Sequence, residues 1–99
     1  MTDSVTDTAH LLALGRDFYL PVYKPRQLIL ERGRGCRVWD REGREFVDLA
    51  GGIAVCGLGH CDPDLTASLV EQAGKLWHTS NVFYSEPPVR LAEELVTAS

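Results

Sequence analysis

The residues most able to do chemistry gather between positions 56 and 81. Cys56-x-x-x-His60-Cys61, with Asp62 next and His78 further on, offers thiolates and imidazoles, the usual zinc ligands. The spacing is not that of a zinc site, because structural sites pair cysteines two to four residues apart and repeat the pair, whereas Cys36 stands alone. No metal site is expected, and the small, packed cysteine is the better reading. Ser80, Ser85, His60 and His78 could supply a nucleophile and base, but no G-x-S-x-G elbow frames them, so no catalytic set is visible. Gly51-Gly52 and Gly57-x-Gly59 lack both the G-x-G-x-x-G and the G-x-x-x-x-G-K-[ST] patterns, which leaves close backbone packing as their reading. Tyr23, Ile53 and the loop 81–84 remain as pocket-lining candidates, since aromatic and polar groups on irregular segments often bind small ligands.

Composition narrows the partners. Lys+Arg 10 against Asp+Glu 14 gives a net charge of −4, with no basic run, which argues against nucleic acid and against an anionic membrane surface. No stretch approaches the roughly 18 apolar residues of a membrane span, and Asp3, Asp7 and His10 occupy the place of a signal peptide, so a soluble, cytoplasmic chain is expected. Three cysteines without a secretory signal are expected to stay reduced. At 99 residues there is room for one domain at most, burying only about 60–65% of its unfolded surface.

The elements that must position these residues begin with a mobile terminus over Met1–Thr8 and a helix from Ala9 to about Tyr19, capped by Thr8, weakened at Gly15 and stopped by Pro21. Pro21 and Pro25 bracket a defined but irregular loop carrying Tyr23. Three short strands follow, 27–32, 36–40 and 44–49, separated by glycine turns, with Val38 and Asp40 on one face of the second and Trp39 on the other. They predict a small antiparallel meander. The bare, glycine-rich stretch 50–60 is expected to lie against other backbone. Asp62 then caps a helix with Pro63 at its first position and Leu65, Leu69, Ala73 and Leu76 as its buried stripe, ending near Trp77. Ser85 or Glu86 opens another helix through Pro87 and Pro88, with Leu91, Leu95 and Val96 facing the core. Residues 90–99 carry no stop signal, so the chain is expected to end inside that helix.

The order of segments then points to a family. Pro21-Val22-Tyr23, Glu31-Arg32-Gly33-x-Gly35, Val38-Trp39-Asp40-x-x-Gly43, Asp48-Leu49-Ala50-Gly51-Gly52-Ile53-Ala54-Val55, Leu58-Gly59-His60-x-x-Pro63, Leu76-Trp77-His78-Thr79-Ser80-Asn81 and Glu86-Pro87 together resemble the N-terminal part of the class III pyridoxal-phosphate aminotransferases of the ornithine group. The resemblance runs from about Phe18 to Ser99. The 50–55 block with Trp77–Asn81 is more similar to the acetylornithine or succinylornithine branch than to the ornithine or 4-aminobutyrate branches.

The resemblance implies an α+β segment, with N-terminal helix, antiparallel β-meander and further helices, of a fold-type I pyridoxal-phosphate transferase that works as a homodimer. Residues 1–17 would be the terminus and start of the first helix, 18–61 the N-terminal part of the small domain, and 62–99 a helical segment leading into an incomplete large domain. The implied reaction moves the δ-amino group of N-acetylornithine to 2-oxoglutarate, giving N-acetylglutamate 5-semialdehyde and glutamate, in arginine biosynthesis. The cofactor's lysine, its Ser-Gly-x-Glu-Ala type phosphate turn and its pyridinium Asp are expected beyond Ser99, and Lys24 and Lys75 match no cofactor-lysine motif, so the chain alone should not transaminate. Carried over by position, Tyr23 lies beside substrate, and Ile53 occupies a pocket position that is aromatic in ornithine aminotransferases. Ser80 and Asn81 border the dimer interface and active-site entrance, where Gly51 and Gly52 permit close packing. The alternatives are a section of a succinylornithine, ornithine or 4-aminobutyrate aminotransferase, or a truncated, non-catalytic chain that acts only by association.

Overall fold

In a computed structural model, residues 7–99 are described. They fall into two units, 7–62 and Pro63–Ser99.

The first unit opens with helix α1 (Thr8–Phe18). Its N-cap is Asp7, not Thr8: the Asp7 carboxylate accepts from the Ala9 N–H at 3.1 Å, and the cap's extended backbone starts the helix one residue early. Of the expected mobile terminus, residues 1–6 lie outside the described residues, while Asp7 and Thr8 belong to the helix start. The helix ends before Pro21, as the missing proline N–H and its restraint on the preceding residue require.

The meander is a three-stranded antiparallel sheet in the order β1 (Leu30–Arg34), β2 (Arg37–Asp40), β3 (Glu45–Val47). Strand β1 begins and ends later than the sequence suggests, running through Gly33 and Arg34. Leu30 faces Asp40 and Arg32 faces Trp39, so Glu31 is an extra residue that bulges the strand. Alternation on β2 is as expected. Val38 is 8% exposed and Asp40 3%, and they are the only buried apolar and buried polar residues among those described. On the other face, the Arg32 guanidinium stacks 4.0 Å over the Trp39 ring.

Asp40 builds the β2–β3 turn. Its Oδ1 accepts from the Glu42 and Arg44 N–H groups at 3.0 and 2.9 Å, and its Oδ2 pairs with Arg44 Nε at 2.6 Å. Gly43 completes the turn at φ +82°. Burial pushes the Asp40 carboxyl's pKa up, but the Arg44 N–H, the Arg44 guanidinium and the Glu42 N–H outweigh it and hold the pKa below the ordinary carboxylate value.

The second unit contains helices α3 (Pro63–Ala73) and α4 (Glu86–Ala98). Pro63 is the first helical residue of α3, and Ser85 is the N-cap of α4 with proline in its first turn. Helix α3 stops at Ala73 rather than near Trp77. From Gly74 the backbone tightens into shorter turns, with Lys75 N–H donating to the Gln72 carbonyl at 3.0 Å, while Trp77 Nε1–H reaches back to the Ala73 carbonyl at 2.7 Å.

The expected buried stripes of both helices are solvent-exposed in this chain. Leu65 and Leu69 on α3, Leu76 beyond its end, and Leu91, Leu95 and Val96 on α4 all stand open, Leu69 at 67% and Leu95 at 62%. Periodicity selects which face is apolar, but covering that face needs a second layer, and the described residues do not supply one.

Candidate functional site

The segment between β3 and Asp62 carries the unusual backbone. Element α2 (Gly51–Ala54) is a single helical turn wound in the left-handed sense: Gly51, Gly52, Ile53 and Ala54 have φ of +57°, +70°, +63° and +61°. The Ala54 and Val55 N–H groups still donate to the Ala50 and Gly51 carbonyls at 2.9 Å. Glycine enters this region freely, which accounts for Gly51 and Gly52. Among the described residues neither glycine is held in a tight contact. A Cβ at Gly51 would meet nothing nearer than 4.0 Å, and one at Gly52 would make only ordinary contact at 3.6 Å, so backbone conformation is the requirement. Ile53 and Ala54 pay the steric penalty of an L-residue there, which is largest for a β-branched side chain.

Strained backbone persists only where its surroundings over-determine it, and here two side chains do so. Asp48 Oδ1 accepts from the Ala50 and Gly51 N–H groups at 3.0 and 2.9 Å, which fixes the entry to the turn. Asp48 Oδ2 lies 2.7 Å from His60 Nε2. The Gly51 N–H above all, then His60 and the Ala50 N–H, hold the Asp48 pKa below its ordinary value. An ionised carboxylate only accepts hydrogen bonds, so His60 Nε2 carries the proton between them.

His60 is itself anchored to the meander. Its N–H and carbonyl exchange backbone hydrogen bonds with Gly35 at 2.8 and 2.9 Å, and its imidazole lies against Gly33, where a Cβ would come within 2.7 Å of the ring. The Asp48 N–H donates to the Cys36 carbonyl at 2.7 Å. Both ends of the 48–60 segment are thus tied to the β1–β2 hairpin, with the left-handed turn looped out between them. The expectation that this bare stretch lies on other backbone holds at Gly59 and His60.

Of the residues singled out in the sequence, Gly51, Gly52 and Ile53 share the left-handed turn, where Ile53 is 90% exposed. Tyr23 is exposed on the loop between α1 and β1. In the second unit, Ser80 and Asn81 line an open hollow of about 270 Å³ with Gln72, Trp77, His78 and Ser85. Ser80 also sits at φ +59°, its Oγ accepting from the Val82 N–H at 3.2 Å. His60 turns to Asp48 rather than to Cys56, and no disulfide joins Cys36, Cys56 or Cys61. Among the described residues no group of three or more His, Cys, Asp or Glu is placed to hold a metal ion, and no helix is long and apolar enough to cross a membrane.

Sequence reasoning missed Asp48 as a partner of His60. The available signal was Asp48-x-x-Gly51, in which an Asp precedes a turn that its carboxylate can cap. The hydrogen-bond partner twelve residues along had no local signature.

Pyridoxal phosphate does not fit the residues present in this chain. The hollow lined by Ser80 and Asn81 includes no lysine, and Lys75 is engaged with Glu71 at 3.1 Å on the surface of the second unit. No chemical step through that cofactor is assigned to these residues.

Comparison with known proteins places this geometry. An acetylornithine aminotransferase of Xanthomonas campestris pv. campestris is 74% identical over 82 residues, which is 83% of this chain and 20% of that protein. One of Xylella fastidiosa (strain Temecula1) is 70% identical over 89 residues, 90% of this chain and 21% of that protein. The crystal structure of N-acetylornithine aminotransferase from Stenotrophomonas maltophilia K279a superposes with a TM-score of 0.78 at 69% identity, covering 88% of this chain and 22% of that one. An ornithine aminotransferase of Toxoplasma gondii superposes as well, with a TM-score of 0.82 at 29% identity over 93% of this chain and 22% of that one, so the branch is distinguished by sequence and not by backbone. The chain spans about a fifth of the length of these relatives. The pattern of aminotransferase class-III matches residues 19–99, and by that match and these identities the chain belongs to the class-III aminotransferases.

Proposed function

We propose that this chain is the N-terminal section of a pyridoxal-phosphate-dependent acetylornithine aminotransferase. The full enzyme transfers the δ-amino group of N-acetylornithine to 2-oxoglutarate, yielding N-acetylglutamate 5-semialdehyde and glutamate, as a cytoplasmic homodimer in arginine biosynthesis. The observation that carries this reading is 70–74% identity, over most of the chain, to proteins named acetylornithine aminotransferase. The cofactor acts as the electron sink when bound, and the residues that hold it lie beyond Ser99.

This section's part is to shape the pocket and the dimer. Residues 18–61 form the start of the small domain and 62–99 lead into the large one. Tyr23 and Ile53 line the substrate site, with Ile53 leaving space that an aromatic residue would fill. Gly51, Gly52, Ser80 and Asn81 border the subunit interface and active-site entrance. The exposed apolar stripes of α3 and α4 are surfaces that the remaining layers of the enzyme cover.

Relatives named acetylornithine/succinyldiaminopimelate aminotransferase are 52% and 50% identical over 92 residues, in Yersinia pestis and Photorhabdus laumondii, which favours testing a second, succinylated donor. The test is to express the full-length polypeptide, load pyridoxal phosphate and compare kcat/KM for N-acetylornithine, succinylated donors, ornithine and 4-aminobutyrate. Preference for N-acetylornithine is expected. A full-length polypeptide that binds no pyridoxal phosphate, or that prefers free ornithine, would overturn the reading.

A further inference from the structure

The left-handed turn α2 is the most strained backbone among the described residues, and it presents Ile53 to the outside. We infer that the Asp48–His60 pair is a positioning device: it holds α2 in the left-handed sense and so sets how Ile53 meets the amino donor. The inference rests on the reading of Ile53 as a donor-site residue and deepens it.

Three observations carry it. Ile53 and Ala54 are L-residues at φ +63° and +61°, each of which alone would relax to negative φ. The pair reaches both sides of the turn: Asp48 Oδ1 holds the Ala50 and Gly51 N–H groups, and Asp48 Oδ2 meets His60 Nε2 at 2.7 Å. The far end is rigid, because the His60 backbone is bonded twice to Gly35 and its ring lies against Gly33. Five residues, Val55 to Gly59, separate the turn from His60, and the bonds that brace them, from the Val55 and Cys56 N–H groups to the Gly51 carbonyl, from the Gly57 N–H to the Val55 carbonyl and from the Gly59 N–H to the Cys56 carbonyl, stay inside the segment. Without the Asp48–His60 link no side chain would tie the turn to the anchored His60. The population with Ile53 correctly presented would then fall, and apparent donor affinity would fall in proportion.

The experiment uses the full-length holoenzyme and reads the ratio of kcat/KM for N-acetylornithine to that for ornithine, a quantity that a reduced folded fraction leaves unchanged. His60→Ala is expected to lower the ratio about tenfold through the N-acetylornithine KM, the scale of one lost charge-assisted hydrogen bond. His60→Gln, which keeps an N–H at the same reach, restores the ratio to within about threefold of the parent. Adding Ala54→Gly to His60→Ala recovers part of the loss, because glycine adopts φ +61° without strain. If His60→Ala does not fold, Asp48→Asn is read in the same way and is expected to move the ratio in the same direction. Ile53→Ala separates the two layers of the argument. Should Ile53→Ala shift the ratio while the His60 and Asp48 variants leave it unchanged, the positioning role is overturned and the pocket reading stands. Should Ile53→Ala itself leave the ratio unchanged, the pocket reading falls and the inference falls with it.

Discussion

Gly59→Ala tests the way the 48–60 segment is seated on the meander. Gly59 has φ +80°, and a Cβ there would come within 2.9 Å of the Gly35 carbonyl oxygen and 3.0 Å of its carbonyl and α carbons. All three are backbone atoms, so no side chain can swing away. The substitution therefore incurs the left-handed penalty of about 1–2 kcal/mol for an L-residue. It also forces apart the Gly35–His60 backbone pair, whose two hydrogen bonds, at 2.8 and 2.9 Å, are worth about 0.5–1.5 kcal/mol each in net stability. Alanine's stiffer unfolded chain returns about 0.4–1 kcal/mol, which leaves a net loss of about 1–4.6 kcal/mol. Gly15→Ala is the internal control. It lies mid-helix with nothing within 4 Å of a new Cβ, so the same change should stabilise by about 0.5–1 kcal/mol. Hydrogen–deuterium exchange at the Gly35 and His60 amides of the full-length protein reads the local opening, and urea unfolding reads the whole. Faster exchange at those amides is expected in Gly59→Ala alone. Parent-like exchange together with a loss below about 0.5 kcal/mol would refute the seating described above.

Three further outcomes follow from other contacts. Gly33→Ala would place a Cβ 2.7 Å from the His60 ring, which is held by Asp48, and should cost about 1–3 kcal/mol in unfolding free energy; a neutral result would mean that the ring has room to move. Asp48 has a folded pKa below its ordinary 3.8, so its contribution to stability is complete above that value and is lost as the pH drops through the folded pKa. The urea midpoint of Asp48→Asn should accordingly trail the parent at neutral pH, with the gap closing below pH 3.8; a gap that widens on acidification contradicts the assignment. Arg37→Ala removes a 2.6 Å ion pair with Glu45, yet both side chains are about half exposed and the loss should stay under about 1 kcal/mol, so a measured loss above about 2 kcal/mol would mean that solvent does not screen the pair.

Local chemistry made much of this legible in advance. Asp40-Arg41-Glu42-Gly43 announced a hairpin because one carboxylate and one glycine satisfy the turn's geometry within four residues. Asp62-Pro63 and Ser85-Glu86-Pro87 announced helix starts for the same reason: proline lacks only an N–H that the first turn leaves unpaired anyway. Thr8 was the cap that the sequence suggested, and Asp7 took the role because its backbone stays extended and its carboxylate reaches the Ala9 N–H. The helix stop at Ala73 rather than near Trp77 depended on the tighter turns that formed from Gly74 onward.

The site itself was legible only as a glycine-rich block with Ile53 as a pocket candidate. Four glycines in eleven residues suggested close backbone contact, and nothing in the sequence indicated that Gly51 and Gly52 would take positive φ together with Ile53 and Ala54. That outcome required Asp48 to cap one end of the segment and His60, twelve residues later, to be pinned to Gly35 at the other.

By itself the sequence determined the order and type of the elements, the family, and the apolar faces of its helices, because turns, caps and periodicity act over a few neighbouring residues. Tertiary structure decided the handedness of α2, the pairing of Asp48 with His60 and the exposure of the helical stripes. Those depend on which distant segments meet and on whether a covering layer is present, and neither is written in any local run of residues.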